Sequence, residues 1–301
     1  MKHRFLLWAA AAVYALNLCS CASKNCGEHL KWTLDRNGTL TVSGTGDMTD
    51  WGLFCDTVPW ESKTSEIQKA VISDGVTHIG NFAFSASALT AVSIPDSVTS
   101  IGNQAFSCCD ALTAVTIPEG VTSSGDYAFY YCTGLTAVTL PDSVTSSGDS
   151  AFNNCYGLTS VTILNGITQI GKDVFSGCYR LTEVTIPDSV THIGENAFYG
   201  CGALTAVTIP ESVTHIGENA FHGCGTLTAV TIPESVTEIG KGAFSECINL
   251  GTVTVLNETC SIGGGQDETF SCERIRGCKG STAEAYAKRF SIEFEALPEK
   301  E

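Results

Sequence analysis

Seven cysteines stand at equal intervals in this sequence: Cys109, Cys132, Cys155, Cys178, Cys201, Cys224 and Cys247, each 23 residues after the last. Cysteine offers three chemistries: a disulfide, a metal thiolate, or a small buried side chain. If residues 23 apart lie directly over one another, neighbouring cysteines come near disulfide reach by Cα distance. A metal site needs ligands that converge on a point, whereas a ladder points its thiols in parallel. A compact, apolar, frequently buried side chain suits an inward position, so the expectation is a reduced ladder in the core. Of the fifteen cysteines, Cys26 and Cys55 flank an N-terminal hairpin and form a candidate disulfide for an exported chain. Cys260, Cys272 and Cys278 cluster near the other end, where spacing alone chooses no pairing.

Other reactive side chains follow the same register. His192-Ile-Gly-Glu195 and His215-Ile-Gly-Glu218 repeat an H-x-x-E pattern. That spacing matters on a helix, but here each pattern sits on an extended piece ending in glycine. His192, His215 and Glu238 then line up as a surface ladder, read as solvated polar positions or as a weak transition-metal site. Asp96, Glu119, Asp142, Asp188, Glu211 and Glu234 all occupy one turn position. Stacked like charges repel, so adventitious Ca²⁺ is one reading and turn formation is the other. Gly263-Gly264-Gly265 lacks the following Lys-Ser/Thr of a phosphate loop. No Ser/His/Asp or Cys/His set stands out from the repeat, so no catalytic residue, resident metal or cofactor is expected. Asn37-Gly-Thr39 and Asn257-Glu-Thr259 are glycosylation sequons, relevant only in a eukaryotic host.

Two sets of residues are better suited to binding. Thr116, Thr139, Thr162, Thr185, Thr208 and Thr231 form an outward ladder, beside Ala114, Ala137, Ser160, Glu183, Ala206 and Ala229. A flat polar face is what extended binding surfaces use, although threonine also recurs for its strand propensity. Tyr130, Tyr131, Tyr156, Tyr179 and Tyr199 break the consensus near the repeat ends, on one side. Tyrosine offers a large contact area and a polar tip. Packing against adjacent coils is the alternative reading.

The elements that position these residues come from one repeat. Leu181 to Ala203 reads LTEVTIPDSVTHIGENAFYGCGA, and Leu204 to Thr226 repeats it nearly letter for letter. Further copies start at Leu89, Leu112, Leu135, Leu158 and Leu227, and a slightly shorter first copy at Ile67, making eight. Leu204, Val207 and Ile209 are the inward positions of a strand, and Thr208 between them points out. Pro210 ends that strand. Val213 and Ile216 return inward on a second extended piece. Gly217 recurs at its place in every copy, which predicts a backbone shape that only glycine tolerates. Ala220, Phe221 and Cys224 return to the core on a short helical or 3₁₀ turn. No copy buries its apolar face alone, so the copies must stack as a solenoid. Stacking makes Phe84, Phe106, Phe129, Phe152, Phe175, Phe198, Phe221 and Phe244 an aromatic spine. The inward isoleucine of the second piece is Ser124 in the third copy and Ser147 in the fourth. Each forfeits about 1.5–3 kcal/mol of apolar burial and gains a hydroxyl that needs a partner, which predicts soft third and fourth coils.

Both ends depart from the period. Residues 1–20 read as a signal peptide: Lys2 and Arg4, then an apolar run from Phe5 to Leu18 too short to span a bilayer. Leu18-Cys19-Ser20-Cys21 resembles a bacterial lipobox with Cys21 as the lipid-bearing residue; simple cleavage nearby is the alternative. Residues 21–66 read as a β-hairpin cap, from the alternation around Leu30, Trp32, Leu34, Leu40 and Val42 with a turn at Asn37-Gly38. Residues 67–249 are the eight repeats. Residues 250–301 read as a C-terminal cap, with a capping box at Ser281-Thr-Ala-Glu284 opening a helix to about Arg289 and a strand around Ile292 and Phe294. Over the 301 residues, acidic side chains outnumber basic ones 32 to 16, for a net charge of −16. No basic stripe is available to neutralise phosphate, which argues against nucleic acid and an anionic membrane surface as partners; membrane contact would come only through a lipid on Cys21.

The 23-residue unit resembles the BspA-type leucine-rich-repeat family over residues 28–297, as do the lead-in LKWTLDRNGTLTVSGTGDM and the closing GSTAEAYAK. The resemblance implies a leucine-rich-repeat solenoid, located at the cell surface or secreted. It implies adhesion to host matrix proteins or to other microbial surface proteins. A structural, self-associating surface protein is the other reading. A binder of crystal faces through the Thr ladder and an enzyme are the remote ones.

Overall fold

A computed structural model describes residues 24–52, 57–263 and 268–298 of the chain. The leader 1–20, the lipidation candidate Cys21 and the disulfide candidate Cys55 lie outside the described residues; Cys26 is buried. The repeats coil into a solenoid in which each residue pairs with its equivalent one repeat away. On one face Thr139, Thr162 and Thr185 are parallel strand partners. On a second face His192 pairs with His215, and His215 with Glu238. The alternation of Val and Ile with Thr makes each strand bury one side and expose the other.

The expected strand ladder is divided into three sheets. Ala137–Leu140, Ser160–Ile163 and Glu183–Thr185 form one, and Ala229–Ile232, Thr252–Val255, Arg274–Gly277 and Glu293–Ala296 another. The third joins the N-terminal hairpin to Lys69–Ile72 and Ala91–Ser93. Thr116 and Thr208 fall in coils between these sheets. At the seventh coil the amide bond from Thr205 to Thr182 O is stretched to 3.4 Å, against 3.0 Å from Thr182 to Thr159 O, so that coil stands slightly off its neighbour.

The return to the core takes the form of chained turns. Ala197 N–H donates to Gly194 O, Tyr199 N–H to Asn196 O and Cys201 N–H to Phe198 O, each a three-residue closure. The alternate amides, Asn196, Phe198 and Gly200, donate to the next coil instead. This alternation places a left-handed residue two before and two after every repeat phenylalanine, as in Asn196 and Gly200 around Phe198. Gly217 is not among them, which corrects the reason for its recurrence. Its φ is ordinary, and a Cβ there would sit 2.6 Å from Gly194 C and Glu195 N. Close approach of backbones, not conformation, excludes a side chain.

The phenylalanine spine is buried and longer than eight rungs. Ring centres from Phe84 to Phe244 are 5.1 to 5.7 Å apart. Trp60 adds a rung at 5.7 Å before Phe84, and Phe270 one at 5.8 Å after Phe244. Edge-on rings close the column: Trp32 and Trp51 against Trp60, and Tyr286 against Phe270. At the start, Leu30–Leu34 and Thr39–Gly44 form the antiparallel hairpin, which pairs with Lys69–Ile72. At the finish, helix Thr282–Phe290 is capped by the Ser281 hydroxyl, which accepts from Glu284 N–H. The Glu284 carboxylate accepts from Gly280 N–H, one residue before the usual capping-box partner.

The cysteine ladder is reduced, and it is more than filler. Each thiol donates to the carbonyl of the phenylalanine in the preceding coil, from Cys109 to Phe84 O at 3.1 Å through Cys247 to Phe221 O at 3.2 Å. Burial pushes five of the thiols up, Cys155 and Cys247 to about 12; a hydrogen bond with Cys109 and burial raise Cys132, while hydrogen bonds with Cys132 and Ser87 hold Cys109 below its ordinary value. A thiolate is the reactive form and none of the seven side chains reaches solvent, so the ladder is expected to be inert to an aromatic disulfide reagent at pH 8. Urea should release all seven thiols at the unfolding midpoint. Labelling of the native chain would show that the ladder opens locally.

Ser124 is 4% exposed and its hydroxyl has no partner. The short-strand sheet that contains it ends at Ser146–Ser147, and a separate sheet begins at Gln169–Ile170. Amides of the third and fourth coils should therefore exchange with deuterium faster than their equivalents in the sixth and seventh. Equal protection would mean that the two serines do not soften the stack.

Candidate recognition surface

Three outward regions present chemistry, each built from columns of equivalent residues. The first is the strand face. Thr116, Thr139, Thr162, Thr185, Thr208 and Thr231 are all exposed, and Glu183 beside them is exposed too. The face is flat and small-featured. A shallow groove of about 350 Å³ opens along Val207, Thr208, Ala229 and Thr231, where the seventh coil stands off.

The second region is the turn edge. Tyr131 and Tyr156 meet edge to face at 5.2 Å, and Tyr156 stacks on Tyr179 at 5.2 Å. Tyr130 joins them at 5.8 Å from Tyr131, and Tyr127 lies 5.6 Å from Tyr130. Five tyrosines from three coils thus form one continuous strip. The structure sets Tyr199 apart from this strip, stacked on His222 at 4.7 Å. Of the five exposed large hydrophobic side chains among the described residues, four lie on this edge: Tyr127, Tyr179, Tyr199 and Ile248, the last 78% exposed.

Backbone geometry explains how the strip projects. Tyr127 and Tyr131 occupy the two left-handed positions around Phe129, with φ of 57° and 59°. The equivalent positions in the seventh coil hold Asn219 and Gly223, the residue types that adopt this conformation readily. A tyrosine there is disfavoured by about 1–2 kcal/mol. Tyr127 was legible in the sequence only as another tyrosine. Its place in the strip depends on a left-handed turn that carries no sequence signature. Ile248 and His222 were missed because a single departure in one copy gives no pattern.

The third region is a groove of about 580 Å³ along the glycine column of the second face, lined by Gly194, Gly217, Gly240, His192, His215 and Glu238. The two rings stack at 4.6 Å with planes 6° apart. Lys172 pairs with Glu195 across coils at 2.9 Å on the rim. Among the described residues no three His, Cys, Asp or Glu side chains are placed to hold a metal ion together.

Comparison with known proteins agrees with this architecture. A family model described as the BspA type leucine rich repeat region matches residues 62–182 and 147–275, in six copies. Among solved structures, the chain is similar to a leucine-rich repeat protein from Bacteroides ovatus, at 25% identity over 91% of this chain and 76% of that one, with a TM-score of 0.69. It is also similar to one from Eubacterium ventriosum, at 23% identity over 84% of this chain and 86% of that one, with a TM-score of 0.45. No curated protein matches the chain.

The Tyr156 hydroxyl donates a hydrogen bond to the Tyr131 oxygen, which favours the protonated phenol and holds it up at about 12. An acid whose pKa is raised on folding contributes stability below its unfolded value, near 10, and loses it as pH rises through about 12. Absorbance titration at 295 nm should therefore show one tyrosine ionising late. Tyr131→Phe should bring that step back towards 10; an unchanged titration would separate the two rings.

Proposed function

Because the chain belongs to the BspA-type leucine-rich-repeat family, we propose that it is an exported, non-enzymatic scaffold that binds another protein along its tyrosine edge. The observation that carries this reading is the strip itself: Tyr127, Tyr130, Tyr131, Tyr156 and Tyr179 in unbroken contact, with two of them held in a disfavoured backbone conformation. The same left-handed turn recurs in every coil, so the fold fixes where these positions project, and in these coils it is tyrosine that fills them. Rigid aromatic rings with polar tips are the residues that dominate protein interfaces. The strand face has the opposite character. Its threonines are exposed but short, and its regularity follows from the demands of the strand.

The leader Lys2 to Leu18 supports export, and Cys21 is the position at which a lipid would hold the chain at a surface. Host matrix proteins and other microbial surface proteins are the partners this places in reach. End-to-end self-association is the poorer reading. The final strand Glu293–Ala296 offers an edge, but Glu293 and Glu295 are tied to Arg274 and Arg276 along it, and charged residues blunt such edges.

The test is binding of the full chain to a panel of matrix and microbial surface proteins. Combined Tyr131→Ser, Tyr156→Ser and Tyr179→Ser substitutions should weaken capture at least about tenfold, equivalent to about 1.4 kcal/mol. Thr139→Lys, Thr162→Lys and Thr185→Lys together should leave it unchanged. The reverse pattern would move the site to the strand face, and capture of nothing on the panel would remove adhesion to these classes.

A further inference from the structure

The tyrosine strip lies in a stretch of chain with one sign of charge. Between Lys69 and Lys172 there is no lysine or arginine, whereas seven aspartate and glutamate side chains fall there. Tyr127, Tyr130, Tyr131 and Tyr156 all belong to this stretch. Three of its acids, all exposed, stand at the turn edge with the rings. Asp110 occupies the same repeat position as Tyr156 and Tyr179, and it accepts from the hydroxyl of Thr133, the residue between them in that column, at 3.4 Å. Asp126 directly precedes Tyr127, and Asp149 is its equivalent one coil on. Neither Asp126 nor Asp149 has an ion-pair partner among the described residues; the next residue in their column, Lys172, is engaged with Glu195 at 2.9 Å.

The charge at Asp126 and Asp149 is not what the coil requires. Each residue of this column passes a side-chain oxygen to the backbone amide of the next coil. Asn81 and Asn103 accept in this way at 2.6 and 2.8 Å. Asp126 and Asp149 accept at 2.9 and 3.1 Å. A neutral amide oxygen thus serves the stack as well as a carboxylate. Two like charges on coils about 4.8 Å apart repel each other, and no cation of this stretch offsets them. The column changes from Asn to Asp at the coils where the tyrosines begin. Resting on the tyrosine edge as the recognition surface, we propose that its partner is a protein segment rich in arginine and lysine. Such side chains are drawn both to the free carboxylate oxygens and to the tyrosine rings beside them. Complementary charge steers the encounter and rejects acidic partners. Arg180, next to Tyr179, marks the far end of the acidic stretch, so the basic segment lies over the second to fourth coils.

The test measures binding of the full chain to two synthetic dodecapeptides, one alternating arginine with serine and the other glutamate with serine. The arginine peptide should bind and the glutamate peptide should not. Raising salt from about 50 to about 300 mM should weaken binding at least tenfold, as exposed charges are screened. Asp126→Asn with Asp149→Asn keeps the amide-accepting oxygens, so the Tm should hold while binding falls at least tenfold. Asp96→Asn with Asp142→Asn removes the same charge from a different corner of the coil and should leave binding within about twofold. Equal losses in the two pairs would reduce the effect to net charge and overturn the proposal, as would arginine-peptide binding that neither pair weakens. Capture of matrix or microbial proteins that needs Tyr131, Tyr156 and Tyr179 but ignores salt and the Asp126/Asp149 pair would keep the tyrosine edge and overturn the basic partner alone. Peptide binding that survives loss of the three tyrosines would instead count against the edge.

Discussion

Each coil of this molecule must find its backbone partners in the two coils beside it, one repeat away in sequence. Phe198 N–H reaches Ala220 O in the next coil, and Gly217 N–H reaches Ile193 O in the previous one. A buried amide left unpaired is expensive, so this pairing fixes the register for every side chain. Once register is fixed, an inward position can hold only a residue that packs against copies of itself. Phenylalanine meets this by stacking. Cysteine meets it by filling a narrow column and giving its thiol proton to the phenylalanine carbonyl one coil back. Glycine meets it where two backbones touch.

A stack ordered in this way has a problem only at its ends, where a flat ring face has no successor. Parallel rings would reproduce the problem one rung further out. Edge-on rings end it, because they present an edge to the last face and their own faces elsewhere. Trp32 and Trp51 do this at Trp60, and Tyr286 at Phe270. The hairpin and the capped helix are the pieces of chain that deliver those rings. Their departure from the repeat thus follows from the same constraint that makes the repeat regular.

Most of the architecture was legible because it is periodic. The eight phenylalanines, the seven cysteines and the His192–His215–Glu238 ladder could be placed over one another by counting, and the strand and its inward positions by alternation. What counting could not supply was conformation. The left-handed residues around each phenylalanine include Phe82, Gln104, Tyr127 and Asp173, four side chains with no common preference for that region. They adopt it because interior packing and cross-coil bonds overrule local propensity. Trp60 and Phe270 continue the spine from segments outside the period, so only the fold reveals them as rungs. The division of the strand face is likewise invisible in the sequence: Thr208 has the same neighbours as Thr185, yet only Thr185 is paired in a strand.

Because inward columns are spoken for, variation between copies concentrates in outward ones, and that is where function has freedom to act. A conserved-looking column such as the strand threonines says what the coil requires. A departure confined to a few coils says something else. The columns that hold these tyrosines carry residues as varied as Asn, Gly, Ser, Asp and Glu in other copies, and the tyrosines fall in three consecutive coils so that the rings touch. Two of these three coils also contain Ser124 and Ser147, the inward positions where apolar burial is lost. The large aromatic edge therefore shares its coils with the two serines that interrupt the inward apolar column. Coils softened by those serines would let the rings adjust to a partner, so a substitution that costs burial in the core is compatible with a role at the edge.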